Sequence, residues 1–582
     1  MEEQMDLLPS VQKVEKHKGN FKFAGKSFAC ETSPHCIAVY NKESDLDGIL
    51  TDYRGRPEGY TLDITPKNIN IRAGDYAGLY YGIQTLNQLK EDFDRIPCMK
   101  ITDYPDIRMR GIHLDLKGNL PQFERMKRII ENLGEFKLNT ILLEYEDKFP
   151  YKSHPGIVSP LALTRVEIEE LVTVAEYNAI KIIPLVQCAG HVEYILKHPG
   201  YSGLMEDRRY LNEFCLTDKR AQALYRELAI EVMSAHKTSE YFHIGGDEAW
   251  NRGSCPRCKK AVASKGKHKF YIDYISDVCD FVKSSGMTPI VWDDCFRRAA
   301  PAELKKIAGK AILMYWKYGT TTARKEEEQY PDLKLYKSAG IRLAGASAAA
   351  GADGFTASVA KNIARMENNL SWAITAKKHG MEGVVGTAWT RYCGMWPPAA
   401  ALEVSWMPVV GLSEFLWKTP KTNELSGFNR RFVKRFYGIE SEEISNAHYL
   451  VERDNQKAFE AREIFKRFKG KVKKNADIME LMKVSCEITE QKEYLKWVLD
   501  LTMDCDWYRN KYYVLWKQEK KDKIAECLKA LKAISGVMKR TEEVYSKFLK
   551  VPEAREFALS RFALEKYKIE EYLRMFKKTK PA

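Results

Sequence analysis

The stretch Tyr241-Phe242-His243-Ile244-Gly245-Gly246-Asp247-Glu248-Ala249-Trp250 runs an apolar strand into two glycines and then into two adjacent carboxylates. Glycine permits a tight turn and a close approach of ligand to backbone. Neighbouring residues of an extended chain point in different directions, so the two acids need not share one job. Cleavage of a glycosidic bond divides the work in this way. One carboxyl with a raised pKa protonates the leaving oxygen, and a second charge stabilises what forms at the anomeric carbon. The dipeptide alone is equally compatible with two solvated acids at a strand end.

Other polar residues sit where such an acid pair needs company. Short apolar runs at 109–116, 139–144, 179–186, 241–245, 289–292, 311–316, 342–345 and 383–389 are each followed by a helical stretch. They read as strands buried on both faces. Polar residues collect at their C-terminal ends: Asp115 and Lys117, then Glu144, Glu146 and Asp147, Gln187 and His191, Asp293 and Asp294, and Arg391. Eight such units in about 300 residues are the size and count of a (β/α)8 TIM barrel, whose strand ends converge on one mouth. An open doubly wound sheet remains compatible with the pattern, because periodicity does not report closure. Trp292, Trp316 and Trp389 end three of the strands. Three flat rings at one height can wall a pocket for the apolar face of a sugar.

Before the barrel, Tyr60, Leu62 and Ile64 alternate with polar residues, Pro66-Lys67-Asn68 turns, and Ile69 and Ile71 resume the alternation, which is a hairpin. Asp75 then caps a helix carrying Leu79, Ile83, Leu86 and Leu89 on one face. The expected organisation is α/β: a small α/β domain over 1–105, a catalytic barrel over 106–420, and an all-α domain over 421–582. Its helices are expected at 428–437, 443–468, 476–518, 524–549 and 553–576.

The 582 residues, 45% hydrophobic and 30% charged, exclude a single small module and wholesale disorder. The net charge of +14 comes largely from 421–582, with 37 Lys and Arg against 26 Asp and Glu. Solvated helix faces explain it better than a nucleic-acid groove, so no nucleic-acid partner is expected. No 18-residue apolar run and no signal-peptide core are present, and thirteen unpatterned cysteines read as reduced thiols. The expectation is a cytoplasmic protein that acts on a small molecule without a membrane partner, with the helical domain packing on the barrel or forming a homodimer.

His243-Ile244-Gly245-Gly246-Asp247-Glu248 resembles the full signature of the β-N-acetylhexosaminidases of glycoside hydrolase family 20. Glu58 to Leu89 is similar to that family's small domain, and Ile101-Thr102-Asp103-Tyr104-Pro105 with Arg110-Gly111-Ile112-His113-Leu114-Asp115 to its entry into the first strand. The helical remainder more faintly resembles the extension of a bacterial subgroup. The resemblance implies an exo-acting retaining enzyme in which the substrate's 2-acetamido oxygen attacks the anomeric carbon, without a cofactor. Asp247 would orient the acetamido group, Glu248 would be general acid and base, and His191 with Asp147 would orient Glu248. Arg110 would bind hydroxyls of the terminal sugar, with Trp292, Trp316 and Trp389 around it. A non-catalytic carbohydrate-binding barrel is the alternative.

Two positions depart from the family's pattern. Trp389-Thr390-Arg391 stands where a Trp-x-Glu would hold hydroxyls 4 and 6, so Arg391 is expected either to donate there or to turn away, with Glu403 reaching in. The tyrosine that would donate to the acetamido oxygen is missing, with Tyr392 and Tyr318 as replacements. Cys255-Pro256-Arg257-Cys258 is half of a structural metal site. His268 and Cys279 make no clear second half, so no metal is expected.

Overall fold

A computed structural model describes residues 5–22, 32–33, 36–37, 46–49, 55–353, 357–392, 396–420, 427–453, 455–509 and 513–578. The N-terminal part holds β1 (Lys13–Lys22), the short pair β2 (Thr32–Ser33) and β3 (Cys36–Ile37), β4 (Leu46–Ile49), β5 (Tyr60–Ile64), β6 (Ile69–Ala73) and β7 (Arg95–Asp103). Five of these form one sheet in the order β1-β7-β5-β6-β4. The expected hairpin is β5 against β6, with Ile64 opposite Ile69. The expected helix spans Tyr76–Asp92, and the Asp75 carboxylate accepts from the Gly78 N–H at 2.7 Å.

The middle of the chain supplies β8 (Met109–Asp115), β9 (Thr140–Glu144), β10 (Lys181–Leu185), β11 (Met205–Asp207), β12 (Tyr210–Phe214), β13 (Tyr241–His243), β14 (Thr288–Trp292), β15 (Ile312–Trp316), β16 (Arg342–Ala350) and β17 (Gly383–Ala388). Eight of them close a parallel barrel in the order β10-β13-β14-β15-β16-β17-β8-β9, which excludes the open sheet. The hairpin β11–β12 stands outside it, between β10 and β13. Alternate strand residues, among them Met109, Leu142, Ile183, Ile290, Ile312 and Trp292, form a core cluster of their own. That alternation is the inward-facing set of a barrel.

The same alternation decides Arg110. Met109 belongs to the inward set, so its neighbour points outward at the N-terminal end of the strand. The guanidinium of Arg110 donates to the carbonyls of Lys137 (3.1 Å), Ile107 (2.9 Å) and Arg108 (3.0 Å). It also pairs with Glu58 at 2.7 Å and lies over the Trp417 ring. Beside it, buried Lys137 donates to Asp103 (2.9 Å) and to the Tyr60 hydroxyl (3.0 Å). Arg110 is thus part of a polar seam between the small domain and the underside of the barrel. It does not line the cavity at the opposite end, which corrects its expected role as a sugar ligand.

The C-terminal helices span Phe428–Tyr437, Glu442–Arg453, Asn455–Phe468, Ala476–Arg509, Tyr513–Tyr545 and Val551–Lys578. Two helices replace the single one expected over 443–468. The region packs on the barrel: Gln122 donates its N–H to the Phe548 carbonyl at 2.7 Å, and Lys550 returns one to Leu120 at 2.9 Å. Among the described residues no helix is long and apolar enough to cross a membrane. Cys98, Cys188, Cys215, Cys255, Cys258, Cys279, Cys295 and Cys486 form no disulfide.

Removing a buried ion pair's partner leaves an uncompensated charge, which costs about 3–5 kcal/mol. Glu58 keeps some exposure, so Arg110→Ala should lower the free energy of unfolding by up to about that much. Where the variant is folded, ligand affinity at the cavity of the opposite end should stay at the wild-type value. A selective loss of that affinity with unchanged stability would return Arg110 to the ligand site.

Candidate active site

The signature segment leaves β13 through a chain of backbone contacts. The buried His243 ring accepts the Gly245 N–H at Nδ1, 3.0 Å away. Burial pushes His243 down to about 3, which keeps the ring neutral and able to accept. Gly245 has φ 65° and Gly246 φ 86°. A Cβ on Gly245 would stand 1.9 Å from Gln187 Oε1, the oxygen that accepts the Gly246 N–H at 3.1 Å. Gln187 is held in turn by Glu144, at 3.1 Å.

Beyond the glycines, Glu248 itself has φ 49°, and its N–H donates to Asp294 Oδ2 at 2.9 Å. His191 has φ 51°. Non-glycine residues in this region are strained, and they persist where surrounding structure dictates them. Here the strain turns both acids onto one imidazole: His191 Nε2 lies 3.4 Å from Asp247 Oδ2 and 3.2 Å from Glu248 Oε2. Burial alone would lower the His191 pKa, but Asp247 and Glu248 override it and hold His191 well above the usual histidine range.

The acids answer in kind. Burial pushes Glu248 up, yet the hydrogen bond and charge of His191 win and hold its carboxyl below the ordinary value. The raised acid expected of this pair is instead Asp294, pushed up to about 7 by burial, Asp247 and Asp293. Asp247 Oδ1 is buried and has no hydrogen-bond partner among the described residues. Such an atom costs free energy unless a donor from outside fills the place.

These groups open on a cavity of about 240 Å³ lined by His191, Asp247, Glu248, Lys117, Arg391 and Tyr392, with Trp292, Trp316, Tyr318 and Trp389 as aromatic walls. Trp316 stacks on Tyr318 with centroids 5.2 Å apart, and Trp389 Nε1 donates to the Tyr318 hydroxyl at 3.0 Å. Trp292 lies below, with its ring 6.0 Å from that of Trp389. The three tryptophans therefore meet in one pocket, as their strand-end positions predict.

Lys117, Tyr318 and Asp294 belong to the site although sequence reasoning gave the first and last no role. Lys117 Nζ lies 3.3 Å from Glu146, 3.8 Å from Asp115 and 3.9 Å from Glu144. Burial would lower its pKa, but these carboxylates hold it well above the lysine range. The signal was available: each of the three residues follows a strand end within two positions.

Other expectations need correction. Asp147 does not reach His191. Its carboxylate is bound by Lys148 (2.6 Å) and Lys197 (3.0 Å), which outweigh burial and hold it below the ordinary range. Arg391 lines the cavity, but its guanidinium is clamped by both oxygens of Glu556 (2.9 and 2.8 Å) and donates to the Trp396 carbonyl at 3.1 Å. It has turned toward the helix Val551–Lys578. Glu403 does not replace it, because it lies in a separate small cavity beside Trp389 and Asp115, where burial pushes it up to about 7. Tyr392 interacts with Glu248 at the cavity's edge and is 46% exposed.

A model for "Glycosyl hydrolase family 20, catalytic domain" matches residues 108–420, and one for "Glycosyl hydrolase family 20, domain 2" matches residues 32–104. Hexosaminidase D of Bos taurus is 29% identical over 294 residues, covering 49% of this chain and 85% of the relative. Hexosaminidase D of Homo sapiens is 28% identical over 296 residues, covering 49% of this chain and 60% of the relative. Among solved structures, the Flavobacterium johnsoniae chitobiase superposes with a TM-score of 0.62 at 17% identity, covering all of this chain (100%) and 95% of that one. A Bacteroides fragilis β-N-acetylhexosaminidase gives 0.57 at 19% identity, covering 74% of this chain and 94% of that one. These structural likenesses report the fold.

If Glu248 must be protonated to act, the His191 charge that lowers its pKa sets the alkaline limb of the kcat/KM profile at low pH. His191→Gln removes that charge and leaves burial to push Glu248 up. The alkaline limb should then move to higher pH, while kcat falls. A limb that stays put or moves down would show that His191 does not set the proton affinity of Glu248.

Proposed function

Since the chain belongs to glycosyl hydrolase family 20, and is a glycoside hydrolase, we propose that it is an exo-acting, retaining β-N-acetylhexosaminidase that removes terminal β-linked GlcNAc or GalNAc by substrate-assisted catalysis. The observation that carries this reading is the sharing of one imidazole nitrogen by Asp247 and Glu248. Two carboxyls that flank a scissile bond in the double-displacement scheme sit about 5–5.5 Å apart with the sugar between them. Here a histidine stands between them instead. That engagement of both acids by His191 supports a reading in which neither attacks from the far face and the nucleophile comes from the substrate.

In this mechanism the unpartnered Asp247 Oδ1 accepts the acetamido N–H, and the carboxylate charge balances the oxazolinium as it forms. Glu248 passes its proton to the departing oxygen as that bond breaks. As a carboxylate it then takes a proton from the water that opens the oxazolinium. The indole walls receive the apolar face of the sugar, and the Tyr318 hydroxyl, which accepts from Trp389 Nε1 and keeps its own proton to give, donates to the acetamido oxygen. A cavity of about 240 Å³ lies below the roughly 300–1,000 Å³ usual for ligand pockets, which suits one terminal residue rather than a chain.

Glu248→Gln keeps the shape but not the proton, and turnover should fall by roughly 10²–10⁴ on ordinary glycosides and less on those with very good leaving groups. Asp247→Asn should lose turnover with little dependence on the leaving group, and a thiazoline analogue of the oxazolinium should inhibit the native enzyme. Near-native turnover of Asp247→Asn, or no thiazoline inhibition, would rule out substrate assistance.

Asp247 and Glu248 are the carboxylates among the described lining residues and both face His191, so no further carboxylate of that lining reads the 4-hydroxyl as a rigid acceptor. Matched aryl β-GlcNAc and β-GalNAc substrates should therefore differ in kcat/KM by less than about a hundredfold, or roughly 2.7 kcal/mol. A preference above about a thousandfold would mean that another group reads carbon 4 strictly.

A further inference from the structure

The half-site Cys255-Pro256-Arg257-Cys258 finds its other half at neither His268 nor Cys279. Four donors come together beside the barrel: Glu206 of β11, Cys215 just after β12, and Cys255 and Cys258 at the start of the helix Pro256–Lys265. Their ligand atoms all lie within 4.8 Å of one another. Cys215 Sγ is 3.5 Å from Cys255 Sγ and 3.6 Å from Cys258 Sγ. Zinc–sulfur bonds of about 2.3 Å at the tetrahedral angle place sulfurs about 3.8 Å apart. The spacing is therefore close to that of thiolates around one tetrahedral ion.

The fourth corner carries its own evidence. Glu206 Oε1 accepts the N–H groups of Gly253 (2.9 Å) and Cys255 (3.0 Å), which fixes the carboxyl, while Oε2 is buried without a hydrogen-bond partner. Three thiolates and a carboxylate around a divalent ion leave excess negative charge. Arg257 reaches to 3.5 Å from Cys215 Sγ, and the Cys258 N–H at the helix N-terminus donates to Cys255 Sγ at 3.3 Å. Both offset it.

We propose that Glu206, Cys215, Cys255 and Cys258 bind one structural zinc ion. Soft thiolates select zinc over the hard cations, and four protein donors close the tetrahedron, so the ion has no open position for catalysis. Its work is mechanical. Cys255 follows Glu248 by seven residues, and the intervening turn is otherwise tied by Glu213, which accepts the Asn251 N–H at 2.8 Å. The ion anchors that turn to the hairpin β11–β12, and so braces the segment that leaves the catalytic pair.

The test is elemental analysis of the full chain, purified without a metal-affinity column from a zinc-supplemented culture. About one zinc per chain is expected, as for a closed four-donor site. Cys258→Ser and Cys215→Ser should each lose the zinc, and Cys279→Ala should keep it. Stripping zinc from the wild-type protein with a chelator should lower Tm and hydrogen-exchange protection over 249–260, and adding zinc back should restore both. The proposal is overturned if the wild-type protein holds no zinc while these cysteines react with a thiol reagent in the native state. It is equally overturned by a disulfide between two of them, or by iron or another metal in place of zinc.

Discussion

Everything at the barrel mouth depends on turning two consecutive carboxylates toward the same imidazole nitrogen. An ordinary strand end would send Asp247 and Glu248 apart. Left-handed backbone at Gly245, Gly246 and Glu248 bends the segment instead, and His191 meets it with a left-handed residue of its own. The bend is held from outside: Gln187 and Asp294 accept the N–H groups of Gly246 and Glu248, and the Tyr271 hydroxyl donates to the Gly246 carbonyl. Gly190 completes the fit, because a Cβ there would stand 2.1 Å from the Asp247 carbonyl oxygen. Strain of this kind survives only inside a scaffold that over-determines it.

The closed barrel supplies that rigidity and also a charge problem. Asp115, Glu144 and Glu146 converge below the acid pair, where each would raise the others' proton affinity. Buried Lys117 answers them, while Glu146 is still pushed up to about 8 by burial, outweighing that lysine, and by its acidic neighbours. The mouth thus carries a lower layer of acids around Lys117, with His113 on Glu144 at 3.0 Å, and an upper pair of acids around His191. The cation count matters more than any single pair, because removing either cation leaves carboxylates facing each other in a poorly solvated space.

Much of this was legible in the sequence, and what was not has identifiable causes. Eight apolar runs located every barrel strand, and the strand ends located Asp247, Glu248, His191 and the three tryptophans. Arg110 was misread because a strand buried on both faces has no polar alternation to reveal which way a given residue points. Asp147 was misread because it follows Glu146, whose φ of 47° redirects the chain just where the side-chain direction matters. Arg391 could not be read locally at all, since Glu556 lies 165 residues further on. The partners of Cys255 and Cys258 sit on a hairpin some forty residues earlier, and no spacing rule joins a glutamate to three cysteines across that distance.

The clamp on Arg391 also has a meaning in time. The loop that carries this arginine is synthesised well before the helix Val551–Lys578, so until that helix docks no Glu556 holds the guanidinium at the barrel mouth. Arg561 of the same helix donates to the Pro398 carbonyl, which fastens that loop a second time. The wall of the pocket at Arg391 is therefore complete only once the helix Val551–Lys578 has docked. A chain interrupted before that helix would carry Asp247 and Glu248 and still lack one finished wall.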